Sequence, residues 1–125
     1  MPEGPECRRM SLQLSEEVSD KKLVDISVES GRYTKKPIEG MEQILEETPL
    51  KIRGTGVHGK FIFFLLDNEW SIWNTLGMTG GWSRKPTKHA RVRLVLEDGP
   101  IFYNDTRNFG TLKFVQGKKP IIDKL

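Results

Sequence analysis

KFIFFLLDNEWSIW, residues 60–73, is the stretch of sequence that decides the predicted fold. Residues 60–66 form a nearly continuous apolar run rich in aromatic side chains, which is typical of a largely buried β-strand. The polar triplet at residues 67–69 indicates a turn, and residues 70–73 return the chain as a second strand. The stretch therefore predicts an antiparallel strand pair in a β-rich fold.

The strand pattern continues towards the C-terminus. Residues 90–96 alternate between apolar and basic side chains, as in a half-buried strand. Asp98-Gly99 follows directly and is a hairpin signal. Further strands are predicted at residues 101–103 and 111–115, and a loop at residues 80–88.

The sequence before residue 60 predicts two helices and one strand. Gly4-Pro5-Glu6 is typical of a helix start, because proline in the first turn loses no hydrogen bond and an acidic residue suits the helix dipole. Apolar residues recur at helical spacing to about residue 18. The other predicted elements are a strand at residues 23–28 and a short helix around residues 41–45. We therefore predict an α+β, mainly β class: an antiparallel β-sandwich flanked by two helices.

The composition limits the class of protein. A chain of 125 residues, 36% hydrophobic and 30% charged, is ordinary for one globular domain. No apolar run approaches the roughly 20 residues that span a bilayer. The single cysteine, Cys7, excludes an intramolecular disulfide and a cysteine zinc site within this sequence. The acidic N-terminal residues do not resemble a secretory signal, so we expect an intracellular protein.

The charge is unevenly distributed along the chain. Residues 1–50 contain 7 Lys or Arg and 11 Asp or Glu, a net charge of −4, whereas residues 51–125 contain 13 and 6, a net charge of +7. Such asymmetry suits a polyanionic partner on one face. An ordinary solvated surface explains it as well, and charge alone favours that interpretation.

Pro2 and Glu3 form a candidate catalytic pair. Removal of Met1 before a small residue is common processing, and it exposes the secondary amine of Pro2. Such an amine can attack an electrophilic sugar carbon and form an iminium ion, which withdraws electrons without needing a proton. Glu3 is placed one residue away for general acid–base catalysis. The alternative interpretation of both residues is a helix lead-in, and retention of Met1 would leave the Pro2 nitrogen an unreactive amide.

Four ordered motifs change the balance between these alternatives. They are MPEGPE at residues 1–6, GKF at 59–61, LGMTG at 76–80 and NDTRNFG at 104–110. Together they resemble the formamidopyrimidine-DNA glycosylase/endonuclease VIII family of base-excision enzymes, over residues 1 to about 116. The resemblance implies the β-sandwich of that family's N-terminal catalytic domain, in agreement with the periodicity.

The resemblance implies catalytic roles for four residues. Pro2 matches the family's nucleophile, and Glu3 matches the acid that assists opening of the sugar ring. Glu6 matches a further acidic position, with simple helix N-terminal charge as its alternative. Lys60 matches the lysine that grips the DNA backbone near the lesion, a role that suits a compact cation. A solvated lysine at a strand end is the alternative for Lys60.

Met78, Arg107 and Phe109 match the residues that fill the hole left by the everted nucleotide. A base must leave the duplex before its chemistry, at a cost of a few kcal/mol. Met and Phe can wedge into the stack, and Arg can hydrogen-bond the orphaned base. His89 lies near a basic, histidine-containing stretch of the family and is predicted to bind DNA, with a surface histidine as the alternative. Core packing would be expected for Met78 and for Phe109 if each were considered alone.

Other cationic and aromatic residues have less specific assignments. Arg84, Lys85 and Lys88 either support contacts to the DNA backbone or are solvated loop residues. The three tryptophans are expected to pack in the fold rather than to stack on bases; they are Trp70, Trp73 and Trp82.

The resemblance implies an enzyme that excises oxidised bases from damaged double-stranded DNA and cleaves the resulting abasic site. A monomer without membrane contact is expected, and no metal or organic cofactor is expected in this chain because the family's zinc finger lies beyond it. Residues 1–116 would be the catalytic domain and residues 117–125 the start of a linker to the helix–two-turns–helix and zinc-finger half. The motifs leave open whether the chain is a fragment or a short relative, and whether it prefers oxidised purines or pyrimidines.

Two other functions are compatible with the residues. A DNA-binding or damage-sensing module needs Lys60 and the void-filling residues but tolerates loss of Pro2. A protein-interaction domain needs none of them and predicts no salt-dependent binding to DNA. The intact Pro2-Glu3 pair favours the enzyme, because a pure binding module has no use for it.

Overall fold

The computed structural model describes residues 4–58, 61–75, 80–107 and 110–117, which form two α-helices and eight β-strands. The helices are α1 (Gly4–Val18) and α2 (Met41–Glu47). The strands are β1 (Lys22–Val28), β2 (Leu50–His58), β3 (Phe61–Leu66), β4 (Trp70–Thr75), β5 (Gly80–Ser83), β6 (Ala90–Leu96), β7 (Gly99–Asp105) and β8 (Thr111–Gln116).

The strands form two antiparallel halves that pack face to face. Their order is β5-β7-β6-β1-β2-β3-β4-β8, and the described parts of β1 and β2 join the halves through two residue pairs at Lys22↔Lys51 and Leu23↔Leu50. Phe64 of β3 meets Trp82 of β5 across the interior, with ring centroids 5.1 Å apart. The predicted antiparallel β-sandwich flanked by two helices is confirmed.

Alternate side chains of the strands fill the space between the two halves. Burial of each large apolar side chain stabilises the fold by about 1.5–3 kcal/mol. Those no more than 2% exposed include Leu23, Ile52, Ile62, Phe64, Ile72, Leu94, Ile101, Tyr103 and Phe114. The three tryptophans also pack as predicted, and each indole N–H donates a hydrogen bond, to Glu47, Ser71 and Asn74 respectively.

The two helices cover different parts of the sandwich. α1 packs on β2, where Gly54 faces the hydroxyls of Ser15 and Ser19. α2 packs against β1 and β8 and buries Ile44 completely. The predicted helix bounds agree with both elements to within about two residues, which is the usual uncertainty of helix ends.

The segment before α2 protects the free edge of β8. The Tyr33 hydroxyl accepts the Leu112 N–H at 2.9 Å and donates to the Leu112 carbonyl at 3.2 Å. The Phe114 N–H donates to the Glu39 carbonyl at 2.9 Å. Because an open strand edge invites pairing with another chain, these bonds favour a well-defined end to the sheet.

Two strands, β2 and β5, were not predicted from the periodicity of the sequence. β2 contains glycine and polar residues and shows no regular apolar alternation. Its glycine at position 56 is explained by the neighbouring strand β3, because a Cβ at Gly56 would lie 2.5 Å from the Phe63 ring. The loop prediction for residues 80–88 was wrong for β5, which pairs with β7 from Gly80↔Asp105 to Ser83↔Phe102. Trp82 stabilises this short strand by packing between Phe64 and Tyr103.

Arg84 connects the end of α1 to the β6–β7 turn. Its Nε donates to Glu17 Oε2 at 3.1 Å, and its Nη2 donates to Asp98 Oδ2 at 3.1 Å. The Lys21 ammonium also pairs with Asp98. Arg84 was predicted either to support contacts to the DNA backbone or to be a solvated loop residue. Its guanidinium instead donates hydrogen bonds to other parts of the fold.

The charges in this cluster reinforce one another. Partial burial lowers the pKa of Arg84, but the hydrogen bonds to Glu17 and Asp98 raise it by more, so the guanidinium is held charged. The hydrogen bond from Lys21, followed by the bonds from Arg84, lowers the pKa of Asp98. The stability from a lowered carboxyl pKa is present above the unfolded value, near about 3.9, and is lost as pH falls through the folded value.

We expect Arg84→Met to lower the free energy of unfolding by about 1 kcal/mol at neutral pH, because partly exposed ion pairs contribute on that scale. The loss should shrink as pH falls below about 3.9 towards the lowered pKa of Asp98, because protonation of that carboxyl group removes its ion pair with Arg84. Urea unfolding at both pH values measures it, with Lys85→Met as the control for a neighbouring cation. An equal loss at neutral and acidic pH would contradict the ionic origin.

Candidate functional site

The segments that carry the later motifs connect strands at one end of the sandwich. Phe61 at the start of β3 pairs with Thr75 at the end of β4, and Thr75 pairs with Thr111 at the start of β8. In the other half, Gly80 at the start of β5 pairs with Asp105 at the end of β7. We call the part of the fold formed by these five residues the motif end.

Asp105 is the buried polar centre of the motif end. Its side chain is 0% exposed, and its Oδ2 accepts the Tyr103 hydroxyl at 3.0 Å and the Gly110 N–H at 2.8 Å. A carboxylate removed from water is costly unless such donors satisfy it. Because Gly110 leads directly into β8, the bond to Gly110 joins β7 of one half to the start of a strand in the other.

Gly110 lies in a space that only glycine fits. A Cβ at this position would lie 2.6 Å from the carbonyl oxygen of Thr75 and closer still to the hydroxyl of Tyr103. The last position of the NDTRNFG motif is therefore explained by close approach of the two halves, since a side chain would force them apart.

Asn74 provides a second polar link between the halves. It is fully buried, its Nδ2 donates to the Thr111 carbonyl at 3.0 Å, and its Oδ1 accepts the Trp82 indole N–H at 2.9 Å. Beside it, the Thr75 hydroxyl pairs with the Thr111 hydroxyl and accepts the Thr111 N–H at 3.1 Å. The strand ends that border residues 76–79 and 106–110 are thus held together by side chains as well as by strand pairing.

Arg91 holds the entrance to the 106–110 segment. Its Nε donates to the Asp105 carbonyl at 2.9 Å, its Nη2 to the Thr106 carbonyl at 3.2 Å, and its Nη1 to the Ser30 hydroxyl at 3.1 Å. The His89 carbonyl accepts the Asp105 N–H at 3.1 Å. Asp105 is therefore fixed through its backbone on one side while its side chain fixes Gly110 on the other.

Three of the sequence-predicted site residues fall within the described chain. Arg107 is exposed and lies two residues beyond Asp105, and His89 is half-buried directly before β6. The backbone of Glu6 lies in the first turns of α1. The other sequence-predicted site residues lie outside the described residues: Pro2, Glu3, Lys60, Met78 and Phe109. The roles given to all eight stay predictions.

Sequence reasoning missed the residues that hold the motif end together, Asp105, Tyr103, Asn74 and Arg91. Asp105 lies inside the quoted NDTRNFG motif, and an acidic residue at the end of an apolar strand was the available signal. Asn74 and Arg91 give no such signal, because their hydrogen-bond partners are separated from them in sequence and come close only in the folded chain.

A small cavity of about 140 Å³ lies beside the motif end, lined by Phe61, Trp73, Thr75, Thr111 and Lys113. The Lys113 ammonium lies 4.7 Å from the centre of the Trp73 ring, as in a cation–π contact. A larger cavity of about 400 Å³ lies between α1 and β5 and includes Glu17 and Arg84, whose charges already pair with each other. The motif end is the better candidate site because the motif segments meet there.

Neither a metal centre nor a membrane span emerges from the described part of the chain. Among residues 4–58, 61–75, 80–107 and 110–117, no group of three or more His, Cys, Asp or Glu side chains is arranged to hold a metal ion. None of the helices in those ranges has the length and apolar character needed to cross a membrane.

Comparison with protein families and curated proteins gives consistent matches. The family model of the formamidopyrimidine-DNA glycosylase N-terminal domain matches residues 1–112. The formamidopyrimidine-DNA glycosylase of Desulfitobacterium hafniense (strain DSM 10664 / DCB-2) is 32% identical over 124 residues, which cover 93% of this chain and 44% of that relative. The enzyme of the same name from Thermus thermophilus is 32% identical over 99 residues, 68% of this chain and 37% of the relative.

Comparison with solved structures gives the same fold. The MutM (Fpg) protein from Thermus thermophilus superimposes with a TM-score of 0.81 at 29% identity, covering 98% of this chain and 44% of that chain. MutM in complex with DNA containing carbocyclic 8-oxo-G has a TM-score of 0.83 at 24% identity, covering 98% and 47%. This chain thus spans less than half the length of these relatives.

Ionisation of the buried Tyr103 hydroxyl is expected to lower the stability of the motif end at alkaline pH. Burial raises the pKa of Tyr103 well above its usual value, and the charge and hydrogen bond of Asp105 add to the effect. The stability from a raised pKa is fully present below the unfolded value, near about 10, and is lost as pH rises towards the folded value.

We expect Tyr103→Phe to lower the free energy of unfolding at neutral pH by about 1–3 kcal/mol, because Asp105 stays buried with one donor fewer. The decline of stability above about pH 10 should be shallower than in the wild type, since the titrating hydroxyl is gone. Urea unfolding across that range measures both effects. Tyr33→Phe, which removes a hydroxyl hydrogen-bonded to Leu112, is the control for loss of a tyrosine hydroxyl at neutral pH. An unchanged slope in Tyr103→Phe would contradict this account.

Proposed function

This chain belongs to the formamidopyrimidine-DNA glycosylase family through its N-terminal domain, and from that premise we propose that it is the catalytic domain of a base-excision DNA glycosylase that also cleaves abasic sites. The observation that carries the proposal is the convergence of strands bordering the motif segments at one end of the sandwich. The solved complex of MutM with DNA containing carbocyclic 8-oxo-G supports DNA as the partner, and we propose that this DNA is damaged and double-stranded.

In this proposal Pro2 acts as the nucleophile once Met1 has been removed. Its nitrogen attacks C1′ of the damaged nucleotide, an N–C1′ bond forms, and the base leaves with the electron pair of the glycosidic bond and takes up the amine proton. The nitrogen lone pair then forms the iminium as the C1′–O4′ bond breaks, and Glu3 supplies the proton that O4′ accepts. A secondary amine suits this step because its iminium is charged without a proton.

Cleavage of the strand follows from the same iminium. The carboxylate left on Glu3 accepts a proton from C2′, a C2′–C3′ double bond forms, and the 3′ phosphate leaves with the electron pair of the C3′–O bond. Water then hydrolyses the iminium, which restores the Pro2 amine and releases an unsaturated aldehyde. Glu6, in the first turns of α1, is proposed as a further acidic group of this site.

The other proposed roles concern the DNA. Lys60 and His89 contact the backbone near the lesion, while Met78, Arg107 and Phe109 fill the space of the everted nucleotide. The exposure of Arg107 supports its part, because a side chain that enters a duplex must first be accessible. We further propose that residues 1–116 act as an intracellular, monomeric catalytic unit and that residues 117–125 begin the connection to a DNA-binding half.

Covalent trapping tests the proposed chemistry. We expect the Met1-processed chain to form a borohydride-stable adduct with an oligonucleotide containing an abasic site, because the Pro2 amine and the sugar aldehyde condense to an iminium that hydride reduces. Abasic DNA already has the reactive sugar, so the lesion preference does not enter. The readout is a protein–DNA band on a denaturing gel.

The controls are a Met1-retaining chain, whose Pro2 nitrogen is an amide, and Pro2→Gly, which offers a primary amine. Both should give a much weaker band than the processed chain, since each offers a primary amine whose imine needs a proton to become an iminium. An equal band from the Met1-retaining chain would refute the role of Pro2. Salt-dependent DNA binding without any trapping would instead support the damage-sensing module.

Lys60 should contribute one phosphate contact. In binding titrations of a duplex with an abasic-site analogue, Lys60→Met is expected to reduce the slope of log K against log salt by about 1. Lys51→Met is the matched control and should leave the slope unchanged, because Lys51 is the second residue of β2 and lies away from the motif end. Equal slopes for the two variants would contradict the assignment of Lys60.

We expect the 125-residue chain alone to bind this duplex with a dissociation constant above about 1 μM at physiological salt, as in largely electrostatic binding.

A further inference from the structure

Two loops share their anchors at the motif end. We use the name first loop for residues 76–79, which follow Thr75 and precede Gly80 in the sequence, and second loop for residues 106–110, which follow Asp105 and precede Thr111. Strand pairing sets Thr75 opposite Thr111 and Gly80 opposite Asp105. The residues that border one loop are therefore paired with the residues that border the other, so a shift of one bordering residue acts on the borders of both loops.

Asp105 is the residue that connects these anchors across the sandwich. Its carboxylate accepts the Gly110 N–H from the strand end in the other half, and the Tyr103 hydroxyl from its own strand. Its backbone is held by the His89 carbonyl and by the Arg91 guanidinium. Because Asp105 is fully buried and fixed from both sides, it transmits a displacement of either half instead of absorbing it.

We propose that Asp105 is a positioning residue that couples the two loops, so that Met78 on the first and Arg107 and Phe109 on the second enter the duplex as one unit. The coupling rests on the proposed function of those three residues and extends it to a residue that contacts no DNA. Its physical basis is that groups at a reacting centre must be held to a fraction of an ångström, since a misplacement of about 1 Å can cost about 100-fold in rate.

Two substitutions separate this role from simple stabilisation. Asp105→Ala removes the acceptor of both the Gly110 N–H and the Tyr103 hydroxyl proton. Asp105→Asn keeps one oxygen that can accept both bonds, since both are now made to the same atom. Ser71→Ala is the matched control: Ser71 is also buried and accepts the Trp73 indole N–H at 2.9 Å, but its hydrogen bonds stay within one half.

The first arm of the test needs no DNA. Amide hydrogen exchange, followed by NMR in the 125-residue chain, is measured at the four bordering residues Thr75, Gly80, Gly110 and Thr111. Asp105→Ala should accelerate exchange by about tenfold or more on both loops' borders, while Asp105→Asn and Ser71→Ala should stay within about threefold of the wild type. Acceleration confined to Gly110 and Thr111, or an equal acceleration in Ser71→Ala, would overturn the coupling.

The second arm uses a duplex with a tetrahydrofuran abasic analogue opposite 2-aminopurine, whose emission reports on the unstacked base. Asp105→Ala should lower the emission change at saturating protein and slow single-turnover trapping of an abasic duplex by about 10- to 100-fold. Its half-saturating concentration should change less than about threefold, because the phosphate contacts persist. Asp105→Asn should restore the wild-type signal, and an Asp105→Ala signal equal to wild type would refute the positioning role.

The two experiments distinguish a failure of the coupling from a failure of the proposed function. If exchange shows the coupling but the wild-type chain neither binds nor traps DNA, the proposed function fails while the connection between the loops stands. If the wild-type chain traps DNA and exchange shows no coupling, the proposed function stands and Asp105 is only a structural residue.

Discussion

The buried carboxylate of Asp105 is the interaction on which the motif end depends. In the described strands, the pairs Lys22↔Lys51 and Leu23↔Leu50 connect the two halves of the sandwich. Apolar packing between the halves is not directional, so it does not by itself fix their relative position. Hydrogen bonds to a buried carboxylate are directional and costly to lose. The Gly110 N–H and the Tyr103 hydroxyl therefore fix how the two halves meet where the motif segments emerge.

Several polar residues that a surface interpretation would assign to solvent belong to this architecture. Arg91 holds the entrance of the second loop through the carbonyls of Asp105 and Thr106, and Arg84 connects α1 with the β6–β7 turn. Some of the basic residues that give residues 51–125 their positive net charge therefore form hydrogen bonds within the fold. Arg107, exposed beyond Asp105, is the cation that this arrangement presents outward in the described part of the second loop. Strand ends held together by buried hydrogen bonds suit a function in which side chains must enter a duplex in a fixed geometry.

The sequence predicts most of the fold and little of what holds the motif end together. The apolar run of β3, the alternation of β6 and the start of α1 were predicted because their patterns are local. β2 and β5 were missed because their patterns depend on partners distant in sequence: Gly56 lies against Phe63, and Trp82 packs between Phe64 of the opposite half and Tyr103 of its own half. Asp105, Asn74 and Arg91 act through partners distant in sequence, so periodicity cannot show them. The catalytic roles of Pro2 and Glu3 came from resemblance and lie outside the described residues.

Mapping the surface that binds DNA tests the central claim most directly. Amide chemical shifts of the 125-residue chain would be recorded during titration with a short duplex containing a tetrahydrofuran abasic analogue, at low salt. Convergence of the motif segments predicts that the changes cluster at Phe61, Thr75, Gly80, Arg107 and Thr111, while the 67–69 and 97–98 turns stay unchanged. Changes centred on those turns, or scattered without preference over both ends of the sandwich, would contradict the assignment of the motif end as the nucleic-acid interface.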